Sequence, residues 1–467
     1  MTTKQEFDVV VVGAGPAGTA AALRAADLGA KTALITRDAF GGMAANEGPI
    51  PVRTLAHAAR LVREARQLSG YGISVGAPAL DYTQLIERAN EVVGEARRHS
   101  TLLSQLQQAG VALYEHAGAV GFVDAHQIES ERGPALQGDR LILCTGGVSR
   151  ALNVPGAALT VTPAAAFGLK SVPKSLVVVG AGATGAQVAS IFNALGSSIT
   201  LCQAGPRIIP TEDADVSREV ALAFREDGID VREDCRIAGF EASPAAGLRV
   251  NVAQEEAVMA EFAVCAIGWA ADTATLRLRL AGVQTNQRGF IAVDEFRRTS
   301  APHVYAAGDV IGRSMLVPQA VRDGFIAGSN AASAQKVRVP ADVEPIGSFT
   351  DPEYAKVGLT EEEASGEHDV LVARARYAET TRPIIDGRTR GFCKLVIDRG
   401  SRTILGCHIV GERAVEVAQM AAIVMTGEMK IDDVARLPLS FPTYANVFGR
   451  AALRAVRMFG ERTVIEP

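Results

Sequence analysis

The chain of 467 residues holds only six cysteines, Cys144, Cys202, Cys235, Cys265, Cys393 and Cys407, and no two of them form a CxxC pair. Most lie in apolar, strand-like runs such as LILC and FAVC, so buried, inert thiols are expected rather than redox centres or metal ligands. The seven histidines show no metal-ligand spacing, and no metal site is expected. A net charge of −5 gives no footprint for nucleic acid. Arg450, Arg454 and Arg457 near the end read as a solvated helix face. No apolar run approaches the ~20 residues of a membrane span. The start, MTTKQEFDVVVVGAG, enters a strand and a glycine turn without a signal-peptide cleavage pattern, so a cytoplasmic protein is expected.

What is present points to a well-packed α/β protein of two to four domains: 48% hydrophobic residues, 46 glycines and 21% charged residues. An internal repeat dominates the first half. Val9–Val12 read as a buried strand, followed by Gly13-Ala14-Gly15-Pro16-Ala17-Gly18 and an Ala-rich helix. Leu176–Val179 repeat this, followed by Gly180-Ala181-Gly182-Ala183-Thr184-Gly185 and another helix. In each GxGxxG the first glycine makes the tight turn, the second lets backbone approach a pyrophosphate, and the third lets helix pack on strand. One such motif is weak evidence; two, each set between strand and helix, point to two dinucleotide sites. Thr54–Ser69 and Thr83–Gln108 read as long helices from the spacing of their apolar residues.

The segment Gly41–Arg53, GGMAANEGPIPVR, together with LILCTGG (Leu141–Gly147), VYAAGDV (Val304–Val310), FTDPEYAKVGLTEEEA and RTILGCHIVGERAVEVAQMAA, resembles the FAD-dependent pyridine nucleotide-disulfide oxidoreductases in order and spacing over nearly the whole chain. The resemblance implies two Rossmann-like dinucleotide-binding domains, for FAD and NAD(P), plus a C-terminal α+β dimerisation domain. It implies a discontinuous FAD domain (residues 1–150 and 275–345), an inserted NAD(P) domain (151–274) and an interface domain (346–467) in a homodimer, with a linker near 334–347.

Carried onto this sequence, the FAD site comprises Gly13, Gly15, Pro16, Ala17, Gly18, Thr36, Arg37, Gly41, Gly42, Met43, Arg53, Gly118, Ala119, Thr145, Gly146, Gly308, Asp309, Val317, Pro318 and Ala320. Asp309 would hold the ribityl hydroxyls. The NAD(P) site comprises Gly180, Gly182, Thr184, Gly185, Gln187, Gln203 and Gly268. Several positions depart from the family. Thr36 stands where relatives place a Glu for the FAD ribose, and Asp38 is either its substitute or a solvated loop residue. Gln203 replaces an acidic residue typical of NADH users, while Ala204 and Pro210 replace the arginines of NADPH users; either NADH or NADPH is admitted, NADH with slight preference, and Arg207 reads as a surface residue. Arg53 replaces a Lys and Gln187 its partner Glu beside the flavin; Arg53 either neighbours the flavin or caps and packs. Trp269, the only Trp, either stacks on a ring or packs, and Tyr444 either donates a proton or packs.

Four departures bear on mechanism. Ala44 and Pro49 occupy the two redox-cysteine positions, and neither side chain can become a thiolate. Phe441 and Asn446 occupy the positions of the proton-relay His and its Glu, and neither can carry a proton. The expected function is therefore an NAD(P)H-dependent FAD oxidoreductase passing electrons directly to a non-disulfide, small-molecule acceptor such as a quinone or dye. The alternatives are a flavin-carrying electron-transfer subunit or redox sensor acting with a protein partner, and dithiol chemistry through one of the six other cysteines.

Overall fold

A valine-rich run flanked by helical segments must be covered on both faces, and Gln5–Val12 is: Val9, Val10, Val11 and Val12 are all buried. In the computed structural model, which describes residues 5–244, 247–339 and 343–460, the chain divides into two compact units. One comprises Met1–Leu55, Thr83–Arg150 and Gly268–Pro340; the other comprises Ala56–Tyr82, Ala151–Ile267 and Ala341–Pro467.

The first unit is built on a seven-stranded sheet. Ala112–Tyr114, Thr32–Ile35, Gln5–Val12, Leu136–Leu143 and Val304–Ala306 run parallel in that order. Val120–Phe122 and Gln127–Ser130 complete it antiparallel. A two-stranded ribbon pairs Gly147–Ser149 with Trp269–Ala271, which places Trp269 opposite Ser149. The helices Pro16–Asp27 and Val317–Ala332 pack together against this sheet. A buried ion pair fixes the second of them: Arg297 donates from Nε and Nη2 to Oδ1 of Asp323, at 2.8 and 2.6 Å.

The second unit carries a parallel four-stranded sheet, in the order Asp230–Arg232, Ser198–Cys202, Ser175–Val179, Phe262–Cys265. Beside it lies the antiparallel meander Ile237–Ser243, Gly247–Val252, Val258–Ala260. Its C-terminal part is an antiparallel five-stranded sheet, in the order Ile346–Ser348, Tyr354–Gly358, Ile404–Val410, Phe392–Asp398, Val370–Arg376. Strand Val370–Arg376 alternates, burying Leu371, Ala373 and Ala375 while the intervening residues stay accessible. Helices Ala414–Thr426 and Asn446–Met458 cover this sheet through Val417, Ala421, Phe448 and Val456.

Three sequence expectations are corrected. The stretch expected as one helix over Thr83–Gln108 is two, Tyr82–His99 and Leu102–Gln108. Ser100 and Thr101 separate them, and the Ser100 hydroxyl accepts from the N–H of Leu102, a local hydrogen bond that competes with the helical ladder. The helix expected from Thr54 begins at Pro49 and ends at Gln67, because proline at the first helical position gives up an N–H that has no partner there. Arg450 and Arg454 are half-buried, donating to the carbonyls of Glu379 and Arg374, so only Arg457 of the three is exposed.

Candidate functional site

The expected FAD residues of the first unit converge at one edge. Gly13, Thr36, Thr145 and Gly308 each follow the C-terminal end of a parallel strand, the edge where open α/β sheets bind ligands. Gly13 adopts φ +104°, and a Cβ there would meet the Cys144 carbonyl oxygen at 2.2 Å. At Gly15 a Cβ would find only the Gly42 Cα, at 3.9 Å, so the turn is open where a pyrophosphate would approach. The helix Pro16–Asp27 behind it has no side-chain cap and no acidic first-turn residue, leaving first-turn N–H groups for an anion.

Around this turn, Gly118 donates its N–H to the Arg37 carbonyl and adopts φ +71°. The Thr145 hydroxyl donates to the Asp272 carbonyl at 2.7 Å. Arg37 Nη2 pairs with Asp272 Oδ2 at 2.8 Å. Thr36 is buried and Asp38 exposed. Burial alone raises the Asp309 carboxyl above its ordinary value; hydroxyl donors are the partners such a group lacks. Val317, Pro318 and Ala320 form the uncapped first turn of their helix. These features suit a flavin dinucleotide. Sequence reasoning missed Asp272 and Glu115, whose carboxylate accepts from the Phe40 N–H at 2.7 Å. No local signal marks either, since Asp272 lies 235 positions from its partner.

The segment carrying Ala44 and Pro49 forms a short helix, Gly42–Asn46, entered through Gly41 at φ +103° and joined to the helix Pro49–Gln67. Arg97 donates to the Asn46 side-chain amide oxygen, which pins this segment from outside. Ala44 and Met43 are half-buried, while Pro49 and Arg53 are exposed. All six cysteines are buried and none is disulfide-bonded, and none lies within this segment. Burial raises the Cys144 thiol beyond the reach of ordinary titration.

The second glycine turn reproduces the first. Gly180 has φ +95°, with the Ala266 carbonyl oxygen 2.6 Å from a would-be Cβ, and a Cβ at Gly182 would meet nothing within 4 Å. The helix Ala183–Leu195, which contains Thr184 and Gly185, is likewise uncapped and without acidic first-turn residues. The Gln203 side-chain carbonyl accepts from the Ala181 N–H at 3.0 Å. Gln187 folds its amide back to the Ala183 carbonyl at 3.3 Å. Arg207 donates to the Pro210 carbonyl at 3.0 Å. Gly268, at φ +107° with open space around it, belongs to the first unit, where its carbonyl accepts from the Arg150 N–H.

At the C-terminal stretch Phe441 is 62% exposed, a large apolar side chain on the surface of the chain. The Asn446 side-chain carbonyl accepts from the Thr443 N–H at 2.8 Å, just ahead of the helix Asn446–Met458. Tyr444 is half-buried with its ring 6.0 Å from that of Tyr377. Burial, and then the Asp386 carboxylate that accepts its hydroxyl at 2.8 Å, raise its phenol well above the usual range. The Tyr444 hydroxyl is thus engaged with Asp386 while its ring packs near Tyr377. Among the described residues no group of three or more His, Cys, Asp or Glu could hold a metal ion, and no helix is long and apolar enough to cross a membrane.

Comparison with known proteins agrees with this geometry. Residues 7–324 match the pyridine nucleotide-disulphide oxidoreductase family and residues 345–452 its dimerisation domain. The chain is 31% identical to a dihydrolipoyl dehydrogenase of Zymomonas mobilis, covering 96% of this chain and 98% of that one. It is 30% identical to a mercuric reductase of Lysinibacillus sphaericus, covering 97% and 83%. In fold it is similar to the HOCl-induced flavoprotein disulfide reductase RclA from Escherichia coli, with a TM-score of 0.85 at 24% identity, covering 96% and 99%. The chain belongs to the pyridine nucleotide-disulphide oxidoreductase family, FAD-dependent oxidoreductases that use NAD(P)H and carry a dimerisation domain.

Proposed function

We propose that the protein is an NAD(P)H-dependent FAD oxidoreductase that delivers electrons directly to a small non-disulfide acceptor such as a quinone or dye. The observation that carries the reading is the composition of Gly41–Arg53: the family's frame is kept, while Ala44 and Pro49 stand where thiols would relay electrons. The six cysteines are buried at other places in the chain and none is disulfide-bonded, which argues against a substitute dithiol. Bound FAD supplies a two-electron carrier between nicotinamide and acceptor. The Gly15 and Gly182 openings and their uncapped helices bind the two pyrophosphates, and Asp309 orients the ribityl chain. Arg53 adds a cation near the flavin, which favours negative charge developing there. Phe441, contributed by the partner subunit, gives the acceptor pocket an apolar wall, and Asn446, whose side-chain carbonyl holds the Thr443 N–H, takes no part in proton transfer.

Anaerobic mixing with NADH or NADPH, followed by a steady-state screen of quinones, dyes, oxygen and disulfides, tests this. Bleaching of the oxidised flavin and turnover with quinones or dyes is expected, with no reduction of lipoamide, glutathione disulfide or mercuric ion. Absorbance that stays oxidised with both nucleotides would remove the enzyme reading. Flavin inert until a protein partner is added would replace it with an electron-transfer subunit.

A further inference from the structure

Lysine is rarely found fully buried, yet Lys394, on the strand Phe392–Asp398, is 1% exposed. Its ammonium contacts three carboxylates: Asp213 Oδ1 at 2.8 Å, Asp215 Oδ2 at 2.8 Å and Glu361 Oε2 at 2.5 Å. Arg374 pairs with Asp215 as well, and Lys356 pairs with the buried Glu212 at 3.2 Å. His408 is fully buried beside this cluster; its Nε2 meets the Leu359 carbonyl at 2.8 Å, and its Nδ1 has no hydrogen-bond partner. Burial alone would lower the lysine and raise the aspartates. The mutual contacts outweigh it, holding Lys394 above and Asp213 and Asp215 below their ordinary values.

Ion clusters of this kind cost desolvation, and replacing them with apolar residues often leaves stability unchanged or raised. A role in placing something is therefore the more economical account, and the neighbouring backbone names what is placed. Asp213 caps the helix Ala214–Glu226 through its contact with the Asp215 N–H, and its Oδ2 accepts from the Glu361 N–H at 3.2 Å. Four residues earlier, Ile209 stands at φ +38° and donates its N–H to the Ala181 carbonyl at 2.6 Å. Ala181 is the second residue of the glycine turn, and its own N–H is held by Gln203. A continuous path thus runs from Lys394 through Asp213 and the short segment to Ile209 into the Gly180–Gly185 turn.

We infer that Lys394 and Asp213 are positioning residues for the nicotinamide dinucleotide: the buried ion pair locks Ile209–Asp213 against the glycine turn and so sets the turn's geometry. The inference rests on the family's use of NAD(P)H and is independent of which acceptor is reduced.

The test uses the FAD-loaded protein with Asp213→Asn, which keeps the capping oxygen and removes the charge, alongside Lys394→Met. Steady-state kinetics with NADH, bound FAD per chain and thermal midpoint are measured for each. For Asp213→Asn the expected result is a KM for NADH raised roughly tenfold, which corresponds to about 1.4 kcal/mol of binding, with kcat at saturating NADH and FAD content unchanged. Lys394→Arg should restore most of the KM shift that Lys394→Met produces. A folded, FAD-bearing Asp213→Asn protein with unchanged KM overturns the inference. Parallel loss of kcat, FAD and thermal stability without a selective KM change overturns it equally, by showing a purely structural role. If Lys394→Met fails to fold, Asp213→Asn decides alone.

Discussion

The side-chain carbonyl of Gln203 accepts a hydrogen bond from the backbone N–H of Ala181 at 3.0 Å, inside the second glycine turn. The residue that would discriminate between ribose hydroxyls and a 2′-phosphate is therefore neutral, and its oxygen is already engaged. Arg207 directs its guanidinium to the Pro210 carbonyl. Wild-type protein is expected to accept both nucleotides with a modest preference for NADH. Gln203→Glu introduces a charged acceptor for the ribose hydroxyls and repels a phosphate; a charged hydrogen bond of about 1.5–3 kcal/mol predicts a rise of about ten- to a hundredfold in the NADH-to-NADPH ratio of kcat/KM. A ratio that stays level or falls would place the ribose elsewhere.

Anaerobic titration with NADH is expected to end at a single hydride equivalent per bound FAD, because Ala44 and Pro49 offer nothing that can store a second pair. The double substitution Ala44→Cys and Pro49→Cys should add a second equivalent. Position 49 opens the helix Pro49–Gln67, where a thiolate is stabilised by the helix N-terminus. A second equivalent consumed by the unsubstituted chain would count directly against the thiol-free route.

The two dinucleotide turns were legible because a glycine forced to φ near +100°, as at Gly13 and Gly180, leaves a fixed letter at a fixed spacing. The central strands were legible because burial on both faces demands unbroken runs such as VVVV. What escaped was whatever depends on residues remote in sequence. The Arg37–Asp272 pair spans 235 positions and the Lys394–Asp213 pair 181, and neither leaves a local pattern. The break at Ser100 and Thr101 escaped for another reason. Apolar spacing continues across it, and the Ser100 hydroxyl that accepts from the Leu102 N–H leaves no periodic signal.

The Arg37–Asp272 pair lies beside Gly118 and Thr145, where the adenosine half of FAD would enter, and its size can be bounded. Arg37 is 45% exposed, so solvent screens the pair to about 0.2–1 kcal/mol. Asp272→Asn, which keeps the backbone contact to Thr145, should weaken FAD retention by less than about fivefold, and salt should diminish the difference. The measurement is FAD release followed by fluorescence at low and high ionic strength. A larger loss that persists in high salt would mean that Asp272 contacts the cofactor itself.

His408 is expected to tie stability to pH on the acid side of neutrality. Burial lowers its imidazole below the ordinary 6.5, with Asp213 pulling the other way and Lys394 and Lys356 pushing it further down. Unfolded chain takes up a proton as pH falls through 6.5 while folded chain does not, so the contribution is complete above 6.5 and is lost as pH drops toward the folded value. Asp213 and Asp215, held below their ordinary values, lose their contribution at lower pH still, whereas Glu212, raised by burial, works in the opposite direction near its own titration. Each proton taken up only by the unfolded chain tilts stability by about 1.4 kcal/mol per pH unit. His408→Gln can still donate to the Leu359 carbonyl but cannot titrate. Denaturant unfolding of the FAD-loaded protein between pH 7 and 5 should therefore show wild-type stability falling more steeply than that of the variant. Parallel profiles would mean that His408 is protonated with equal ease in both states, in which case the buried cluster around Lys394 already accommodates an imidazolium.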